Sequence, residues 1–359
     1  MSDLSNPKDT NLNSGDLASA LEKAGMVANH YARQNVFSDY LMRRSQNTRN
    51  RQRAALRVFC DFLASIGVTM DADRLQQEPA SWNGITFGLV EAFKRWMLAE
   101  GYAIGTVNAR LSTLRTYSKL AHKAGVIPQD EYLKIKDVAG FTRQEGQHVD
   151  EQRDTTRVTD ESGRPNKKKT PVRLRPAQVA ALKDQPQDSP QGRRDRLLMS
   201  LLLDHGLRCG EVAALEVSAI DLEDGMLTFF RPKVNKVQTH QLSQDTWEAA
   251  ALYLEQDGMV QGSLLRRSVK GGRLVDSGMS ERAITLRVRT LGEAVGIEGL
   301  SAHDCRHYWA TDAARSGTDP FALQEAGGWN SLAMPRRYVE NAEIANASLK
   351  QTTKRRSDS

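Results

Sequence analysis

In the stretch AHDCRHYWAT, residues 302–311, His303 and Arg306 stand three apart. On a helix that spacing puts both on one face, within reach of the same small anion. His307, next in sequence, is expected to point elsewhere. Other residues able to do chemistry are spread along the chain. Arg208 begins a helix in GLRCGEVAALEV with Glu211 one turn on, and Lys233 sits at the tip of a hairpin. Trp329 follows Gly327 and Gly328 in AGGWNSL, and Tyr338 ends MPRRY. Met singly, each has an ordinary structural explanation: a helix ion pair, a solvated turn lysine, a core indole, one tyrosine among eight. Their order along the chain is what calls for a positioning scaffold.

The 359 residues exceed what one hydrophobic core usually organises, so two domains are expected. Three scattered cysteines, Cys60, Cys209 and Cys305, fit reduced thiols and neither a disulfide framework nor a zinc module. No apolar run approaches the roughly 20 residues of a membrane span, and the start MSDLSNPKDTNLNSGD lacks a signal peptide's apolar centre. A cytoplasmic protein with no membrane partner is therefore expected. A net charge of +6 and a pI near 9.2 suit an anionic partner.

Residues 1–34 read as a flexible start. From 35 to 141 the pattern is that of a small all-helical domain. Tyr40 to Arg57 contains six arginines and no acid, among them Arg43, Arg44, Arg49, Arg51 and Arg53. Val58, Phe59, Phe62, Leu63 and Ile66 then recur at helical spacing as its buried side. FGLVEAFKRWMLAEGY is a further helix ending near Gly101. Another, with Thr106 as expected N-cap, carries Val107, Leu111, Leu114 and Leu120 inward and Arg110, Arg115, Lys119 and Lys123 off that stripe. Residues 142–171 hold only Val149 and Val158 as aliphatic side chains and read as a polar linker whose Lys167, Lys168 and Lys169 could ride on phosphates. The segment 172–340 mixes helices with two β-prone runs, MLTFFRP and VQTHQLS, around the turn KVNK, with helices expected from there to the end. The acidic DLED, Asp221 to Asp224, reads as a solvated loop rather than a metal site. The fold class is thus mainly α with a small β-hairpin.

Arg, then Lys on a hairpin, then His-x-x-Arg, then His or Trp, then Tyr resembles the signature of the tyrosine recombinases, or phage-integrase family. GLRCGEVAAL is similar to its first arginine motif, HDCRHYWAT to its second, and GGWNSLAMPRRYVE to its C-terminal stretch. Tryptophan at 329, where most members have histidine, and the steps of 3, 23 and 9 residues from His303 to Arg306, Trp329 and Tyr338 are similar to its Cre-like members. The long polar linker departs from them.

The resemblance implies a helical core-binding domain followed by an α+β catalytic domain that cuts and rejoins DNA without metal or nucleotide cofactor. In that scheme Tyr338 is the nucleophile that forms a 3′-phosphotyrosine. Arg208 and Arg306 stabilise charge on the non-bridging oxygens. Lys233, with Lys236 in reserve, protonates the leaving 5′ oxygen. His303 moves a proton or bonds the phosphate, Trp329 donates its indole N–H, and Glu211 orients the cations. The implied partners are double-stranded DNA with inverted-repeat sites and three further copies of the chain in a homotetramer. In that assembly residues 341–359 form a helix and tail that dock on a neighbour or on their own domain. Other readings of the same residues are a type IB topoisomerase-like relaxing enzyme, and a DNA-binding regulator without activity.

Overall fold

The structure, a computed structural model, describes residues 14–152 and 172–342. The expected linker lysines 167–169 and the tail from 343 lie outside those residues. The chain divides into two compact units, with the boundary after Lys168.

The first unit is all helical: α1 (Ser14–Met42), α2 (Gln46–Ser65), α3 (Ala72–Gln77), α4 (Phe87–Ala99), α5 (Ile104–Lys123), α6 (Gln129–Asp137) and α7 (Arg143–Gln152). Side-chain oxygens of Ser45, Asp71 and Thr86 accept the free N–H groups that open α2, α3 and α4. The core is aromatic. Phe59 and Phe93 meet edge to face at 5.1 Å, and Trp82 stacks on Tyr117 at 6.0 Å while its indole donates to the Leu75 carbonyl.

Four expectations for this half are corrected. Residues 14–34 are helical rather than flexible, as the strong helix formers of LASALEKA favour, and α1 is fixed at its far end by Phe37 and Tyr40 against Tyr117. The cap of α5 is not Thr106, since the helix starts at Ile104. Ile66 is half exposed at the C-cap of α2, where Gly67 turns the chain with φ of 86°. The linker begins with α7, because Thr142 and Glu145 form a reciprocal cap: the Thr142 N–H donates to the Glu145 carboxylate and the Glu145 N–H to the Thr142 hydroxyl.

The second unit comprises α8 (Pro176–Lys183), α9 (Pro190–Asp204), α10 (Cys209–Ala213), β1 (Ile220–Asp221), β2 (Met226–Arg231), β3 (Lys236–Gln241), α11 (Gln244–Gln256), β4 (Arg266–Ser268), β5 (Leu274–Gly278), α12 (Glu281–Ala294), α13 (Ala302–Arg315), α14 (Pro320–Gly327) and α15 (Ala333–Ala342). β1, β2 and β3 form one antiparallel sheet whose last pair, Arg231 with Lys236, closes the expected hairpin. The hairpin β4–β5, turning at Gly271 and Gly272, was not expected. Its strands are too short and too charged to show an alternating pattern. In the DLED loop the Asp221 carboxylate accepts the N–H groups of Glu223 and Asp224, a local turn. The apolar α9 runs through the core, and Arg193 clamps Asp257 by two 2.8 Å bonds. Val172 is tied to α13 through the buried Asp304 carboxylate, which also caps that helix. The three cysteines are free thiols, and among the described residues no helix is long and apolar enough to cross a membrane.

His205, at the end of α9, and His240, on β3, pack with rings 5.8 Å apart, and His205 shares a hydrogen bond with Thr246. Burial, with Lys183 at a distance, pushes His205 down to about 4 against the pull of Asp204. Burial, His205 and Arg231 do the same to His240 against the Ala326 carbonyl and Glu211. In the unfolded chain both titrate near 6.5, so between that pH and 4 the unfolded state binds more protons and stability falls as pH drops, by on the order of 1 kcal/mol per pH unit for each ring. The urea midpoint is therefore expected to hold from pH 8 to 7 and to fall from 6.5 to 5. An unchanged midpoint across the lower interval would contradict the neutral pair.

Candidate active site

The pocket is built where α10, the β2–β3 hairpin, α13 and the segment 326–329 converge. Arg208 occupies the N-cap position of α10, and Glu211 three residues later reaches back to its backbone N–H at 2.8 Å and its guanidinium at 2.7 Å. The other carboxylate oxygen contact is Arg231, at 2.7 Å. Arg306, one turn into α13, is buried and donates to the carbonyls of Gly206 and Gly327. Two guanidiniums, of Arg208 and Arg231, therefore share one carboxylate, while the third, Arg306, is bonded to backbone carbonyls.

That imbalance shows in the titration of Glu211 and Arg306. Burial would raise the Glu211 carboxyl, but the Arg208 backbone N–H, Arg231 and the Arg208 side chain outweigh it and hold it below the usual range. Burial lowers Arg306 to about 9, with Arg208 and Arg231 adding like-charge repulsion. A pocket carrying surplus buried positive charge is built to receive an anion.

The aromatic wall completes it. Arg306 lies 4.6 Å over the Trp329 ring, whose centroid is 5.6 Å from that of Tyr338. Tyr338, on α15, is buried among Ala310, Leu323, Trp309 and Met334. Burial raises its phenol, while Arg306, Arg337 and Arg208 pull the other way, so at neutral pH it keeps its proton. Gly328 ends α14 in the left-handed region, φ of 57°, and a Cβ there would lie 2.4 Å from the Arg231 side chain. That close approach lets Trp329 follow directly.

Of the residues expected from sequence, the structure brings together Arg208, Glu211, Arg306, Trp329 and Tyr338. It adds His307, whose ring meets Tyr338 edge to face at 5.1 Å and His303 at 4.8 Å. This corrects the expectation that His307 points elsewhere: it lies one turn beyond His303, at i+4, and faces the same region. Burial, then His303, lowers its imidazole. His303 is exposed at the edge. Lys233 is exposed in the hairpin turn and, among the described residues, makes no contact with the cluster; Lys236 pairs with Glu325. Arg231 was also not singled out, although alternation along β2 buries Leu227, Phe229 and Arg231 on one face.

The basic side chains expected to meet a phosphate backbone divide in two. Arg43, Arg44, Arg51 and Lys119 are exposed, Arg44 over the Tyr40 ring. Arg49 donates to the Arg44 carbonyl, Arg53 pairs with Asp73, Arg110 lies over Tyr102, and Arg115 binds the Val138 carbonyl. These four also have partners within the first unit.

Residues 172–344 match the phage integrase family, and residues 28–137 match the phage integrase SAM-like domain. Among curated proteins, the chain is 24% identical to tyrosine recombinase XerC of Roseiflexus castenholzii over 304 residues, covering 82% of this chain and 83% of that one. It is 25% identical to XerC of Haemophilus ducreyi over 290 residues, 77% and 83%. Among solved structures, the fold is similar to that of XerH site-specific recombinase bound to palindromic difH substrate, with TM-score 0.55 and 19% identity over 72% of this chain and 70% of that one. It is also similar to a lambda integrase dimer bound to a COC′ core site, with TM-score 0.53 and 17% identity over 82% and 79%.

Proposed function

We propose, for a chain that belongs to the phage integrase family of tyrosine recombinases, site-specific recombination of double-stranded DNA through a 3′-phosphotyrosine on Tyr338. The observation that carries this reading is one phenol packed against an indole that is itself covered by a buried guanidinium, in a pocket where cations outnumber carboxylates. A phosphodiester entering it supplies the missing negative charge. Arg208 and Arg306 turn from the Gly327 and Gly328 carbonyls to the non-bridging oxygens, and the charge that builds there in the transition state is met without a metal.

The phenol proton is taken by His303 or by solvent, and attack breaks the bond to the 5′ oxygen, which Lys233 protonates from the hairpin turn. Rejoining reverses these steps with another strand's 5′ hydroxyl, so bond energy is kept. XerH acting on a palindromic substrate supports inverted half-sites here, and pairing of two such sites requires four copies of the chain. The exposed Arg43, Arg44, Arg51 and Lys119 hold the backbone.

The test uses the full chain with nicked duplexes made from DNA flanking its own gene, so that the cut strand diffuses away and the adduct accumulates. A covalent complex whose modified peptide contains phosphorylated Tyr338 is expected, formed at the same rate in excess chelator. No adduct on any fragment, or one on another residue, overturns the assignment; loss of cleavage on chelation removes the metal-free step.

A further inference from the structure

Arg231 is fully buried at the end of the inner face of β2. All three faces of its guanidinium are used: Nη1 donates to Glu211 at 2.7 Å, Nη2 to the Ala326 carbonyl at 2.6 Å, and Nε to the Gln238 side-chain oxygen. The Phe229 ring lies 4.7 Å beneath it, and Gly328 closes over its methylenes. With no exposed surface, the side chain is shut off from a ligand.

What it holds is the machinery on both sides. Glu211 is the carboxylate that fixes Arg208, so a bond to Glu211 is a bond to the aim of Arg208. On the other side, three consecutive carbonyls face three guanidiniums: Ala326 takes Arg231, Gly327 takes Arg306, and Gly328 takes Arg208 at 3.1 Å. Two of those guanidiniums must leave their carbonyls when phosphate arrives. Arg231 is the guanidinium that stays, so together with the Gln238–Glu325 and Gln324–Trp329 bonds it keeps the 326–328 segment, and with it Trp329, in register during the reaction.

Resting on the recombinase reading above, we propose that Arg231 is a positioning residue for strand cleavage, acting through the Glu211 carboxylate and the Ala326 carbonyl and never touching the phosphate. A misaimed Arg208 binds substrate nearly as well but meets the developing charge poorly, so the loss belongs in the rate at saturating DNA rather than in affinity. It also belongs to the charge on the phosphate. A methylphosphonate linkage, which lacks one anionic oxygen, asks less of Arg208.

The experiment compares the parent chain with Arg231→Met and Arg231→Lys in single-turnover cleavage of nicked duplex at saturating protein, on phosphodiester and methylphosphonate linkages, with DNA affinity measured alongside. For Arg231→Met a rate loss of about 100-fold is expected on the phosphodiester, with affinity within about threefold, and a clearly smaller loss on the methylphosphonate. Arg231→Lys, which keeps the Glu211 pair but not the second and third bonds, is expected to recover part of the rate. Equal loss on both linkages means a structural role and overturns the proposal; so does a near-normal rate, or loss of affinity in step with rate. Where Arg231→Met does not fold, Arg231→Lys decides by the same comparison, a loss of at least about tenfold being expected on the phosphodiester. If the parent chain itself forms no adduct, the recombinase reading has failed, a result distinct from any of these.

Discussion

Tyr338→Phe is expected to bind its DNA as tightly as the parent chain and to form no covalent adduct with it. The change removes one oxygen from a side chain that is 2% exposed and packed against Trp329 and His307. The ring contacts remain, so the pocket keeps its shape and the fold loses little. Affinity comes from many backbone contacts and does not depend on a single hydroxyl. The reaction loses its nucleophile altogether, and adduct yield on nicked duplex should fall below detection, at least about 10⁴-fold. Sound recombination by Tyr338→Phe would show that another residue attacks. The phenol in the parent chain is held protonated by burial against the pull of Arg306, Arg337 and Arg208, so cleavage should rise with pH through the neutral range as proton removal eases, for as long as the guanidiniums stay charged.

The cluster was legible because its members sit in short ordered motifs. Arg208, Glu211, Arg306, Trp329 and Tyr338 come from four elements far apart in the chain, and only their order and spacing join them. Arg231 carried a weaker signal. An arginine in register with Leu227 and Phe229 on an alternating strand is a cation aimed at the interior, and such a charge survives there only with a partner. His307 stands at i+4 from His303, and i+3 and i+4 lie on one side of a helix, so its place beside Tyr338 follows from the same spacing that joins His303 to Arg306. Lys233 shows the limit of sequence order, since a turn residue's place depends on the loop that carries it.

In the fold, periodicity found the helices with broad apolar stripes, α2, α4, α5 and α9, and the hairpin β2–β3. It missed elements made by local polar bonding. The start of α7 is written in Thr142 and Glu145, a capping pair inside a stretch whose overall polarity reads as linker. The hairpin β4–β5 rests on Gly271 and Gly272, both with positive φ, more than on any apolar pattern. α1 exposes Leu21, Met26, Val27 and Tyr31 and packs on the core only through its last turns, at Val36, Phe37 and Tyr40, so its first half carries no buried apolar stripe.

Arg306→Ala is expected to abolish most cleavage while leaving DNA affinity within a few-fold. Burial and its two guanidinium neighbours bring Arg306 down to about 9, far below the range of an ordinary arginine. In the free protein its removal costs the bonds to the Gly206 and Gly327 carbonyls and the stack on Trp329, but it also relieves repulsion with Arg208 and Arg231. The two effects oppose, so the melting temperature should move by only a few degrees. During attack there is no such offset. The charge building on the non-bridging oxygens loses a preorganised donor in a water-excluded site, which is worth roughly 10²–10³ in rate. Arg208 cannot take over this role, because Glu211 holds one of its terminal nitrogens and the other serves its own contact to the phosphate. The parent chain should also bind its cleavage site more weakly as pH rises through about 9, because the uncharged guanidinium must take up a proton to meet the phosphate; the alanine variant should lack that dependence. Adduct formation within threefold of the parent rate, or an identical pH dependence in both proteins, would remove Arg306 from the site.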